Sequence, residues 1–437
     1  MSFPRYPKYK PSGVEWLGDV PAHWAVAALA YRYRVELGKM LDAKQISGEH
    51  LLPYVRNADV QWGRINTDDL NCMDFAPEER ERFRLKAGDL LVCEGGEVGR
   101  CAVWDAPITE CFYQKAIHRL RTFDPATDEA TFLRWVLEAA VRRGCFASSE
   151  SKATIAHLPA ETFRRHRFAF PPLPEQHAIA AFLDRETAKI DGLVAEQQRL
   201  IELLKEKRQA VISHAVTKGL DSKAPMKPSG VEWLGDVPAH WEVKRLEHIS
   251  EFVWGKAHEQ FVDDAGQHFC VTARFVSTNG EATKYCTTNL TPAQRGDILM
   301  VMSDLPNGRA LARAFLVMDD RSYAINQRVC AVRLLQGKPT YFAMQLDRNR
   351  RLLAEDDGAN QTHLSNHDFT KLTVLFPPPA EQERIGAAIG ALRTRFDALA
   401  AEAESAIALL QERRSALISA AVTGQIDIRN AATTEAA

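Results

Sequence analysis

The chain lacks the segments that most catalysts of its size rely on. It has no G-x-x-x-x-G-K-[ST] phosphate loop, which argues against ATP hydrolysis. It has no N-P-P-[FY] or D-P-P-[FY] segment of the kind that grips an extruded base. No GxGxxG opens a helix after a strand. Glu150-Ser151-Lys152 is an E-x-K triplet, but no Pro-Asp dipeptide precedes it, so a surface loop is the better reading. His157 and His363 stand in matching positions before Leu158 and Leu364, without metal-ligand company. Binding and organisation therefore fit better than catalysis.

Other absences narrow the class. No run approaches the roughly 18 apolar residues of a membrane span. The first ten residues, MSFPRYPKYK, contain no apolar core of a secretory signal. The 8 cysteines include no C-x-x-C pair, so reduced, mostly buried thiols of a cytoplasmic protein are expected. Net charge is only -2, so any basic surface must be local. Arg142-Arg143, Arg164-Arg165-His166-Arg167 and Arg348 with Arg350-Arg351 are such clusters, each also readable as a solvated face. A chain of 437 residues, 46% hydrophobic, has room for two to four domains with real cores.

What is present is duplication. KPSGVEWLGDVPAHW occurs at Lys10 to Trp24 and again at Lys227 to Trp241, a shift of 217 residues (233 − 16). The copy continues more loosely. Gly88-Asp89-Leu90-Leu91-Val92 parallels Gly296-Asp297-Ile298-Leu299-Met300, a turn feeding a buried strand. Each strand leads to a glycine-bearing loop, Glu94 to Arg100 in one half and Asp304 to Arg309 in the other. Gln114-Lys115 and Gln327-Arg328 follow. Phe170-Pro171-Pro172-Leu173-Pro174-Glu175-Gln176 then parallels Phe376-Pro377-Pro378-Pro379-Ala380-Glu381-Gln382, where prolines suit a helix start and the glutamates suit its dipole.

Beyond each glutamate the apolar period changes. Ile179, Leu183, Ile190, Leu193, Leu200, Ile201 and Ala215 recur at helical spacing, as do Ile385, Ile389, Leu392, Phe396, Leu399, Ala403 and Ala421. The spacing predicts a helix of about 43 residues, or roughly 65 Å, in each half. Gly219 and Gly424 read as helix stops. Stripes of that length should pack together as a coiled coil.

The repeated opening segment, the G-D-[LI]-L strand with its glycine loop, the P-P-[LP]-x-E-Q helix start and the long helix ending in A-V-T occur twice in one order. This layout resembles the specificity subunit of type I restriction–modification systems over essentially the whole chain. The resemblance implies a multidomain α/β (α+β) fold. Two mixed target recognition domains would be separated by two long antiparallel coiled-coil helices in a pseudo-twofold repeat. The expected boundaries are 1–170 and 222–376 for the recognition domains. The spacer helices would cover 171–221 and 377–424, and the tail, 425–437, would be disordered.

The resemblance also implies a non-catalytic subunit. Each domain would read one half of an asymmetric bipartite site in double-stranded DNA. Two methyltransferase subunits would bind it, and two restriction (motor-nuclease) subunits would complete the complex. The chain would hold no cofactor of its own; S-adenosylmethionine, ATP and Mg²⁺ would belong to the partners. A coiled-coil scaffold without DNA readout and a self-sufficient nuclease are the alternatives. Base reading needs paired donors and acceptors, which points to polar loop residues. In the first domain the candidates are Glu94, Gly95, Gly96, Arg100, Gln114, Lys115, Lys152 and Thr154. In the second they are Arg274, Asn307, Arg309, Gln327, Arg328, Asn360, Gln361 and His363. Trp16, Trp24, Trp233 and Trp241 are the same in both halves. Since the half-sites should differ, a structural role anchoring each domain to the helices is expected.

Overall fold

The computed structural model describes residues 3–40, 48–146, 157–304, 310–354 and 362–429. Lys152, Thr154, Asn307, Arg309, Asn360 and Gln361 lie outside these residues. The chain forms two compact units. One comprises Met1–Gln198 with Glu404–Ala437, and the other comprises Arg199–Ala403. The units therefore divide each long helix.

The two units have the same strand order. In the first, Cys101–Val103, Leu90–Cys93, Ile117–Thr122 and Tyr33–Leu37 form an antiparallel sheet. In the second, Ala314–Leu316, Ile298–Val301, Val329–Leu334 and Ser250–Trp254 do the same. Leu90 stands opposite Leu120, and Ile298 opposite Val332. A smaller sheet in each unit contains one parallel pair: Phe112–Tyr113 beside Leu51–Val55, and Tyr323–Ile325 beside His268–Val271. The apolar runs Leu90–Cys93 and Ile298–Val301 are buried along their whole length, as strands covered on both faces must be.

The long helices span Leu173–Lys218 and Pro379–Val422. Along the first, the less exposed positions are Leu183, Thr187, Ile190, Val194, Gln197, Ile201, Leu204, Arg208, Val211 and Ala215. Their alternating steps of three and four are a heptad seam. The expected stripe needs correcting here. Leu193, Leu200 and Leu399 are exposed, whereas Thr187, Gln197 and Arg208 are in the seam. Hydrophobicity marked two adjacent faces, and burial selected one. Within each unit the helix segments run antiparallel. Asp191 pairs with Arg414 at 2.9 Å in the first unit, while Ile179 and Leu183 share a core with Ile418 and Val422. In the second, Arg208 pairs with Asp397 at 2.8 Å, and Ala215 and Val216 share a core with Ile385 and Ile389.

Two of the four repeated tryptophans, Trp24 and Trp241, seat the helix ends, whereas Trp16 packs edge-on against Phe168. Trp24 is fully buried, and its Nε1 donates to Glu175 Oε1 at 3.0 Å. Tyr6 Oη donates to the same oxygen at 2.5 Å, and His23 Nε2 lies 2.8 Å from Oε2. Glu175 therefore does more than face the helix dipole, because its carboxylate ties the opening segment to the helix. In the second unit His240 Nε2 lies 2.7 Å from Glu381 Oε2, while the buried Trp241 Nε1 has no partner among the described residues. Gly424 packs against Pro21 and Trp24, and Gly219 against Pro238 and Trp241. Both have positive φ, +70° and +79°, so glycine fits the helix stop and leaves room for the indole. The first unit also joins the chain ends: Asp427 N donates to Pro4 O at 2.7 Å.

Six of the eight cysteines are buried. Burial raises their thiols, that of Cys111 to about 12, which leaves them unreactive.

Candidate functional site

In the first unit, the turn after each of three strands reaches one surface. The loop 94–100 leaves the strand Leu90–Cys93 and returns into Cys101–Val103. Glu94 N donates to Ala116 O at 3.0 Å, joining the loop to the Gln114–Lys115 turn. Lys115 N donates to Lys39 O at 2.8 Å. Asn57, from the third segment, donates through Nδ2 to Gly95 O and Ala116 O, both at 3.2 Å. The structure therefore brings together Glu94, Gly95, Gly96, Arg100, Gln114 and Lys115. Gly96 and Lys115 are exposed, and Gln114 is half-buried.

The acidic and basic groups here are mostly held internally. The buried Glu94 carboxylate lies 3.0 Å from His157 Nε2. Arg100 Nη2 donates to Asn57 O at 3.0 Å, and Nη1 to Glu97 Oε2 at 3.3 Å. With its guanidinium so engaged, Arg100 is 15% exposed and holds the loop rather than projecting from it. Lys115 makes no ion pair among the described residues.

The second unit repeats the scaffold with different groups. Met302 N donates to Arg328 O at 2.9 Å, and Leu364 N to Met302 O at 2.8 Å. His363 pairs with Ser303 in a short ladder, as His157 bridges Gly95 in the first unit. Gln327, Arg328 and His363 are exposed, and Gln327 Nε2 reaches Glu259 Oε1 at 3.2 Å. Arg274 is exposed on the short helix Ala273–Ser277, directly after the strand to whose Val271 O the Asn326 N–H donates at 3.2 Å.

Sequence reading missed Asn57, Trp62 and the lysines Lys39 and Lys256. The lysines had a signal: Gly38-Lys39 and Gly255-Lys256 repeat at the same 217-residue shift (255 − 38). In both, the glycine lies against a backbone carbonyl of the neighbouring turn, Tyr113 and Gln114 or Asn326, where a Cβ would not fit. The basic pair Arg142-Arg143 belongs elsewhere. Arg142 Nη1 donates to Ser415 Oγ and Arg143 Nη2 to Ser419 Oγ, both on the long helix. Among the described residues, no three His, Cys, Asp or Glu side chains gather as a metal site, and no helix is long and apolar enough to cross a membrane.

The chain is similar to known proteins over nearly its whole length. The family model described as "Type I restriction modification DNA specificity domain" matches twice, at residues 34–203 and 238–407. The type I restriction enzyme EcoKI specificity subunit of Escherichia coli strain K12 is 23% identical over 439 residues, covering 94% of this chain and 90% of the relative. A putative type I restriction enzyme MjaX specificity subunit of Methanocaldococcus jannaschii is 24% identical, covering 54% and 55%. Two solved structures share the fold. One comes from work on complex assembly and conformational transition of the type I R-M system, with TM-score 0.74, 14% identity and coverage of 92% and 98%. The other is the HsdS subunit from Thermoanaerobacter tengcongensis, with TM-score 0.55, 16% identity and coverage of 93% and 98%. With two matched domains spanning most of its length, the chain belongs to the type I restriction–modification DNA specificity family and is a DNA sequence-recognition subunit.

Proposed function

We propose that each α/β unit reads one half of an asymmetric bipartite target in double-stranded DNA. The observation that carries this reading is a shared scaffold with diverged exposed groups. Gln114-Lys115 and Gln327-Arg328 occupy matching turns, each beside a histidine, while the loops next to them differ in sequence and charge. Lys115 and Arg328 suit phosphates, Gln114 and Gln327 suit base edges common to both half-sites, and the diverged loops beside them carry the difference between the halves.

The long helices set the number of unread base pairs between the half-sites and dock two methyltransferase subunits. Two restriction subunits join them in the full complex. The chain contributes recognition and no chemistry. S-adenosylmethionine, ATP and Mg²⁺ serve the partners, and the complex works in the cytoplasm. Methylation mapping of host DNA with and without this chain tests the reading. Chain-dependent modified adenines should fall in one two-part motif. Inserting seven residues near Gln197 should lengthen the gap and leave both halves intact. Scattered or chain-independent methylation would reject the reading.

A further inference from the structure

Glu97 is the one acidic side chain of the 94–100 loop that points outward; it is 52% exposed, whereas Glu94 is buried. It is also fixed in place. Trp62 Nε1 donates to Oε1 at 2.6 Å, and Arg100 Nη1 to Oε2 at 3.3 Å. Arg100 is held in turn by Asn57, through O at 3.0 Å and Oδ1 at 3.3 Å. One donor on each oxygen leaves each with a further acceptor site.

The loop does not need Glu97 as a staple. Its backbone is already pinned by Cys93 N to Arg100 O at 2.8 Å, Gly99 N to Cys93 O at 3.0 Å, Glu94 N to Ala116 O at 3.0 Å and Asn57 Nδ2 to Gly95 O. A fixed carboxylate on a surface meant for a polyanion is costly unless it meets a donor. In the major groove the donors are exocyclic amines, N4 of cytosine and N6 of adenine; guanine O6 and thymine O4 are acceptors and would repel it. In the second unit the comparable loop starts with Asp304, whose Oδ2 accepts from Ala310 N at 2.7 Å, so that carboxylate serves its own loop.

We propose that Glu97 is a specificity-determining residue that accepts a hydrogen bond from an exocyclic amino group of one base in the half-site read by the first unit. The proposal rests on the DNA-reading assignment above. Trp62 and Asn57, the latter through Arg100, are positioning residues.

The test is methylation mapping with the full chain and its modification partners, comparing wild type with Glu97→Ala, Glu97→Gln and Trp62→Phe. In wild type, one position of one half-site should be cytosine or adenine. Glu97→Ala should make that position degenerate, losing roughly tenfold discrimination, with the other half-site unchanged. Glu97→Gln separates the two bases: a glutamine amide pairs with adenine, so an adenine stays and a cytosine shifts towards adenine. Trp62→Phe, which keeps the ring and removes the donor, should weaken discrimination at the same position and covers the case in which Glu97→Ala does not fold. An unchanged motif in all three variants overturns the proposal. So does degeneracy at a guanine or thymine, or affinity falling equally for every sequence, which is what a staple would give. If Gln114→Ala leaves the motif untouched and Lys115→Ala leaves affinity for DNA unchanged, the reading of this surface fails as well; if either shows its effect while the Glu97 variants leave the motif unchanged, only the present proposal fails.

Discussion

Arg121 grips Asp89 through two parallel hydrogen bonds, Nε to Oδ1 and Nη2 to Oδ2, both 2.6 Å. Asp89 is buried at the start of the strand Leu90–Cys93 and also accepts from Lys86 N at 2.7 Å. Arg333 and Asp297 repeat the arrangement at 2.9 and 2.8 Å. This explains the aspartate of the duplicated Gly-Asp turn, which orients the arginine and closes the turn. The aspartate is buried and the arginine 26% exposed, so removing the carboxylate costs about 2 kcal/mol. Asp89→Ala should lower the stability of the first unit by that order, measured by urea unfolding through the fluorescence of nearby Trp104. Adding Arg121→Ala should cost little more. If the two losses simply sum, the residues are not coupled.

The two helix-start glutamates should not be equal. Glu175→Ala strands the donors Tyr6 Oη and Trp24 Nε1 and deprives His23 of its partner. In the second unit Trp241 Nε1 already lacks an acceptor among the described residues, and Lys223 stands at the position corresponding to Tyr6. The expected costs are about 3 kcal/mol for Glu175→Ala and about 1 kcal/mol for Glu381→Ala. Hydrogen exchange should accelerate more at residues 17–24 in the first variant than at 234–241 in the second. Equal acceleration would contradict the assignment.

His118 gives the first unit an acid sensitivity. It is fully buried against Phe163, its Nε2 lies 2.8 Å from Leu158 O, and burial lowers its pKa to about 4. The unfolded chain takes up a proton near pH 6.5, whereas the folded one resists until about 4. Stability contributed by neutral His118 is thus complete above pH 6.5 and falls as pH drops, by about 1.4 kcal/mol per pH unit down to pH 4. His118→Gln should flatten the urea midpoint across that window. An unchanged slope would show that another group is responsible.

The sequence announced the duplication, the strand at each Gly-Asp turn and both long helices, because local pattern alone decides them. The helix seam was only half legible. Leu193 and Leu200 are as apolar as their buried neighbours, but a heptad seam leaves them exposed. Arg208 belongs in the seam because Asp397, distant in sequence, meets it there. At the candidate site, the turns Gln114–Lys115 and Gln327–Arg328 were visible as repeats. Asn57 was not, because nothing local distinguishes it from any polar loop residue. Its importance comes from two backbone carbonyls and an arginine that only folding brings to it.

The matched glycine stops have a consequence for half of the chain. Gly424 meets Pro21 and Trp24 as Gly219 meets Pro238 and Trp241, so each helix end acts as a plug and each tryptophan pocket as its socket. A fragment ending shortly after Gly219 carries one plug and, at Trp24, one empty socket. Two copies are therefore self-complementary, the condition for an isologous dimer. Sedimentation should find that fragment dimeric, and a monomer at micromolar concentration would refute the equivalence. Such a dimer would present the first unit's surface twice and so, on the function proposed above, exchange an asymmetric target for a palindrome.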